Sequence, residues 1–175
     1  VSKRAARILG IDPGSLATGY GIVEIDGQNL TYIDSGCIRT GGGAMGERLA
    51  EIFHAIGAIV DRYAPDEIAV EKAFVHKNAD SALKLGQARA AAICGTFAKS
   101  LPLHEYTPRE VKLAVVGKGG AGKEQVQHMM RMLLGLKGKL QADSADALAV
   151  AVCHAHSRAL NDKLGALAAG GRWRR

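Results

Sequence analysis

The chain has 175 residues and a mass of 18.4 kDa, the size of one ordinary domain. With 47% hydrophobic and 23% charged residues it has globular composition, which excludes disordered, collagen-like and disulfide-scaffold classes. No apolar run approaches the roughly 18 residues of a membrane span, and the basic start Val1–Arg7 lacks the apolar segment of a secretory signal, so a cytoplasmic location is expected.

The chain opens on strands. Arg7–Asp12 is a short apolar run stopped by Pro13-Gly14. Gly19–Ile25 follows, then the hairpin signal Asp26-Gly27 and the alternating segment Leu30–Ile38. Leu49, Ile52, Phe53, Ile56 and Val60 then recur at helical spacing, up to Pro65. Glu67–Glu71 reads as a buried strand, Ala79–Ala98 as a long Ala-rich helix and Leu103–Tyr106 as a fifth strand. Thr107-Pro108-Arg109-Glu110 is a helix start with a cap, proline at the first position and Glu at the third. Gly117–Gly122 is a loop, Glu124–Leu134 and Ala142–Leu160 are helices, and Gly165–Arg175 is a frayed end. A meander followed by helix-connected strands predicts an α/β fold with a mixed five-stranded sheet. One domain over 1–160 and a flexible basic tail over 161–175 are expected.

Charge is the first functional clue. The net charge is +6, and Thr107–Leu140 holds Arg109, Lys112, Lys118, Lys123, Arg131, Lys137 and Lys139 against only Glu110 and Glu124. Such a stretch suits a polyanion such as nucleic acid, and equally a solvated basic face. Cys37, Cys94 and Cys153 have no metal-type spacing and read as reduced thiols. His154 and His156 stand two apart, on different sides of a helix, which argues against a histidine metal site.

The carboxylates are more informative. Asp12 and Glu71 close two strands, and share one sheet edge if those strands are neighbours; ligand sites in such sheets lie at the carboxyl ends of strands. Asp143 and Asp146, three apart at a helix start, share a face. Together the four could hold two Mg2+ ions that bind the attacking water and the leaving oxygen of a phosphodiester. Taken singly, Asp143 and Asp146 fit a helix cap and acidic first turn, Asp12 fits turn chemistry, and Glu71 fits a strand end. Gly117–Glu124 nearly matches a phosphate-binding loop, but Glu124 stands where a hydroxyl is required. Gly10–Ser15 is similar to the first phosphate motif of actin-like ATPases and sugar kinases, whose two lobes exceed this length.

Gly10-Ile11-Asp12-Pro13-Gly14 with Thr18-Gly19-Tyr20-Gly21, Glu71-Lys72-Ala73-Phe74, the block Lys77–Arg89, Val126-Gln127-His128-Met129 and Gln141–Ala149 together resemble the RuvC family of Holliday junction resolvases. The likeness runs from about residue 7 to 157. It implies a ribonuclease-H-like fold, with helices on both faces of the sheet. It also implies a homodimer that nicks four-way DNA junctions in strands of like polarity, leaving 5′-phosphate and 3′-hydroxyl ends, and works after the RuvA–RuvB branch-migration complex. The implied cofactor is Mg2+, two ions per site, with Mn2+ as a substitute. Asp12, Glu71, Asp143 and Asp146 fall on the family's catalytic, metal-holding carboxylates, Phe74 on its stacking aromatic, and Lys112 and Lys123 on its functional lysines. Lys118 is expected to bind DNA from the same basic stretch. Without the resemblance, Phe74 reads equally as a core aromatic. A junction-binding protein without catalysis would keep the basic surface and lose a carboxylate; all four are present. The Ala-rich helix 79–98 offers a dimer contact or packs on its own sheet.

Overall fold

The computed structural model describes residues 5–72 and 78–170, the side chains of 162–170 excepted. Five strands form one sheet: β1 (Ala6–Asp12), β2 (Ala17–Asp26), β3 (Asn29–Arg39), β4 (Glu67–Glu71) and β5 (Leu103–Tyr106). Their order is β3-β2-β1-β4-β5. The first three are antiparallel, whereas β4 pairs parallel to β1 and β5 parallel to β4. This is the mixed sheet expected. Its helices are α1 (Met45–Tyr63), α2 (Ala79–Cys94), α3 (Pro108–Val116), α4 (Lys123–Leu133) and α5 (Ala142–Gly170).

Strand alternation divides the core in two. Leu9, Ile11, Ile22, Ile68 and Val70 face α1 and α2, where Ile52, Ile56, Val60, Ala88 and Ala92 meet them. Ile8, Val23, Ile25 and Ala69 face α3, α4 and α5. The second face carries small residues because α5 lies almost on the sheet backbone. A Cβ on Gly10 would overlap the carbonyl oxygen of Ala147 and stand 2.7 Å from the Ala151 nitrogen; one on Gly19 would overlap the carbonyl oxygen of Asp143. No side chain larger than hydrogen fits at these two positions.

Two helix ends differ from the sequence reading. The segment expected as one helix to Ala98 breaks after Cys94, where Gly95 packs on α1 (an added Cβ would stand 2.7 Å from the Phe53 carbonyl oxygen) and a short 3-10 turn, Phe97–Lys99, follows. Helix α5 continues past Leu160 to Gly170, so the segment expected to begin the tail is helical over 161–170. Its Leu164, Ala166, Leu167 and Ala168 are good helix formers, which outweigh Gly165 in its interior. The basic end with Arg172, Arg174 and Arg175 lies outside the described residues, as does Phe74.

Candidate active site

Asp12 and Glu71 arrive together because β1 and β4 are parallel neighbours, with Ile11 opposite Val70. Alternation turns Glu71, like Ala69, to the α5 face. The turn after Asp12 is tied down by the buried Thr18, whose hydroxyl donates to the Gly14 carbonyl at 2.8 Å. Across the antiparallel pairs, Asp12 stands opposite Gly19, and Gly19 opposite Cys37. The first turn of α5 passes directly over Gly19, which sets Asp143 and Asp146 above this row. Both aspartates lie inside the helix rather than capping it.

Asp12, Glu71 and Asp146 line one cleft of about 230 Å3 with Lys112, Lys123, Pro108, Val111, Val126 and Ala149. Lys112 comes from α3, whose start is fixed by a reciprocal pair: Thr107 N–H donates to Glu110 Oε2 at 2.7 Å, and Glu110 N–H to Thr107 Oγ1 at 3.2 Å. Val111 and Val115 anchor that helix in the core. Lys123 opens α4 and reaches Asp146 Oδ2 at 3.4 Å. The Gly-rich loop 117–122 therefore joins two helices, and no strand leads into it; it is not the strand-to-helix loop that cradles nucleotide phosphates.

The fourth predicted carboxylate stands at the rim. Asp143 accepts a hydrogen bond from the Cys37 thiol at 3.4 Å and has Arg39 4.0 Å away. Burial, with Asp143 beside it, pushes the Cys37 thiol up. Sequence reasoning missed Cys37 and Arg39; alternation along β3 was the available signal, but only the register with Gly19 puts them beside α5. It also missed Arg89 on α2, which donates to the Glu71 carbonyl at 3.4 Å and pairs with Glu105, buttressing the end of β4. Lys118 is exposed in the loop and does not line the cleft.

The electrostatics of the cleft follow from crowding of buried carboxyl groups. Burial, then the neighbouring Glu71 and Asp146, raises the Asp12 carboxyl to about 8. Burial, then Asp146, raises Glu71 to about 7. Asp146 is also raised, chiefly by burial, against the pull of Lys123. Lys123 in turn is raised by Asp146. Two lysines thus leave the carboxylates under-compensated. Clustered hard oxygen donors that repel one another are the donor set of a divalent cation such as Mg2+. The residues fit that group.

The profile of the family described as "Crossover junction endodeoxyribonuclease RuvC" matches residues 8–154. A curated protein of that name from Marinobacter nauticus is 58% identical over 151 residues, 86% of each chain. Another from Xanthomonas campestris pv. campestris is 54% identical over 161 residues, 91% of this chain and 92% of the relative. Among solved structures, Thermus thermophilus RuvC in complex with a Holliday junction substrate is 32% identical, with a TM-score of 0.83 over 89% of this chain and 96% of that one.

Proposed function

This chain belongs to the crossover junction endodeoxyribonuclease RuvC family, and from that premise we propose that it resolves four-way DNA junctions by paired phosphodiester nicks at the Asp12–Glu71–Asp146 cleft. The observation that carries the reading is the convergence of three segments distant in sequence on one cleft that holds acidic oxygens and two lysines. The protein is a nuclease of ribonuclease-H-like α/β fold and uses divalent metal. Mg2+ is the ion we assign, because the donors are all carboxylate oxygens. Asp12, Glu71 and Asp146 would hold it, with Asp143 at the rim. When bound, it supplies charge that activates water and stabilises the leaving oxygen.

The chain's own residues do the rest. Lys112 and Lys123 bind phosphate oxygens and orient the scissile group. Lys123, already placed against Asp146, bridges phosphate and carboxylate. Arg89 holds the Glu71 backbone in position. Lys118, exposed on the adjoining loop, adds affinity for flanking phosphates. Phe74 follows β4 by three residues and is assigned the unpaired base at the junction centre.

A homodimer matches the two-fold symmetry of a four-way junction. Helix α2 supports it: Ala88 and Ala92 turn inward, while Leu83, Gly86, Ala90 and Cys94 stay exposed along one stripe. Both uses weighed for this helix are therefore open to it at once. Handing-over of junctions from a RuvA–RuvB complex, and a cytoplasmic site of action, belong to the same proposal. Among the described residues, no helix is long and apolar enough to cross a membrane.

The protein incubated with a synthetic four-way junction and Mg2+ will give symmetric paired nicks with ligatable ends, and will leave linear duplex of the same sequence intact. Equal cutting of both substrates, or binding without cutting at any Mg2+ concentration, refutes the reading. Lys123→Ala will slow cleavage by about tenfold or more. The same change will reduce the log–log salt slope of junction binding by about one unit. An unchanged rate and slope would remove Lys123 from the site.

A further inference from the structure

A second cluster of ligating side chains lies at the other end of the same β4–α5 seam. Glu67 and Glu71 stand four residues apart on β4, about 13 Å along the strand. Asp146 and His154 stand eight apart on α5, about 12 Å along the helix. The catalytic cleft takes Glu71 and Asp146; the opposite end brings Glu67 and His154 together, with His104 from β5. His154 is only 3% exposed, and its Nε2 lies 2.6 Å from Glu67 Oε2. His104 Nε2 lies 3.8 Å from the same oxygen, and the two imidazoles stack with centroids 4.2 Å apart. One donor atom from each of the three lies within 4.8 Å of the others.

We propose that Glu67, His104 and His154 bind one Zn2+-type ion, separate from the Mg2+ of the cleft. The donor set carries the assignment. Two imidazoles and a carboxylate favour Zn2+, whereas the all-oxygen cleft favours Mg2+. Tetrahedral coordination at 2.0–2.1 Å places donors about 3.3 Å apart, so the Glu67–His154 gap opens by less than an ångström, while the exposed His104 ring turns out of its stack on His154 to aim Nε2 at the ion.

The surroundings are those of a supported site. Tyr106 Oη lies 2.7 Å from His154 Nδ1. Arg158 Nε donates to Glu67 Oε1 at 2.9 Å, fixing the carboxylate and leaving Oε2 to the ion. Its positive charge opposes the ion and limits affinity. On binding, the His154 Nε2 lone pair faces the metal and the ring proton sits on Nδ1, donated to the Tyr106 hydroxyl oxygen, the outer-sphere contact that orients ligating histidines. Burial already favours the neutral ring. His104, at the surface with 43% of its side chain exposed, leaves an entry path and a position for water. The ion would staple β4, β5 and α5, which are far apart in sequence.

Co2+ titration of the whole protein in excess Mg2+, read by its visible absorption, tests this. One equivalent should bind with the intensity of a tetrahedral site and be displaced by Zn2+. Asp12→Asn should retain it. His104→Asn and Glu67→Gln should each weaken binding more than about tenfold, and Tyr106→Phe, which removes only the orienting hydroxyl, by about tenfold. Zn2+ should raise the wild-type melting temperature and leave that of His104→Asn unmoved, while junction cleavage in Mg2+ stays the same in both. Absence of a Co2+ spectrum in the wild type, or equal affinity in His104→Asn, overturns the site and leaves an ordinary ion-pair network.

Discussion

Asp12→Asn will melt at a higher temperature than the wild type in EDTA above pH 8, and will cut junctions at least about a hundredfold more slowly in Mg2+. Both effects have one origin. The folded protein holds the Asp12 proton up to about pH 8, against an ordinary value of 3.8. Between those values the folded state binds more protons than the unfolded chain, so stability falls as pH rises. The slope reaches about 1.4 kcal/mol per pH unit for one such group, and it flattens above pH 8. Glu71, raised to about 7, adds to the loss over the lower part of the same range. The asparagine removes the Asp12 contribution, so its melting temperature will depend less on pH. Mg2+ should raise the wild type at pH 8 more than the variant, because the ion compensates charge the variant lacks. Junction binding in Ca2+ should survive in both, since it rests on lysines and arginines against phosphates. Identical pH–stability curves for the two proteins would show that the carboxylates are not strained without metal.

Gly10→Ala will be severely destabilising although it adds a single methyl group. That methyl overlaps the Ala147 carbonyl and presses on the Ala151 backbone, neither of which is a side-chain end able to rotate away. Overpacking of this kind costs about 1–3 kcal/mol, and backbone neighbours put it at the upper end. Relief comes only by lifting α5, which displaces Asp143 and Asp146 from Asp12, so the folded fraction should also cleave slowly. Gly46→Ala is the control. It is exposed in the first turn of α1 with nothing near its Cβ position, and should be neutral or gain up to about 1 kcal/mol. Denaturant melts of the two variants beside the wild type decide the matter; equal midpoints for Gly10→Ala and wild type would mean that α5 does not bear on the sheet this closely.

Much of this could be read from residue order. Turn residues after Asp12, the hairpin at Asp26-Gly27 and the Thr107-Pro108 helix start are local signals, and the elements they bound are found within a few residues. A candidate carboxylate cluster was legible because strand ends and an i, i+3 pair are local features too; three of the four line the cleft, and Asp143 stands at its rim. Their arrangement was conditional on β1 and β4 being neighbours, which the observed strand order supplies. What stayed hidden depends on contacts between segments. Cys37 and Arg39 sit beside Asp143 through strand register. Arg89 reaches Glu71 because α2 packs on the sheet. The Glu67–His104–His154 cluster is built by three elements; the two-residue spacing of His154 and His156 argued against a histidine site because it describes one helix only. The break after Cys94 follows from Gly95 meeting α1, a tertiary contact that overrides an Ala-rich pattern.

The place of α5 in the fold also bears on how the protein is made. Asp12 and Glu71 leave the ribosome early, whereas Asp143 and Asp146 belong to the helix that crosses one face of the sheet and, with α3 and α4, closes its core. A nascent chain that has not reached residue 146 has half of its acidic centre and an uncovered sheet. The helix that completes the core thus also completes the proposed carboxylate cleft. A copy that stops short of residue 146 is therefore expected to leave junctions uncut, because it lacks both the closed core and the complete carboxylate cleft.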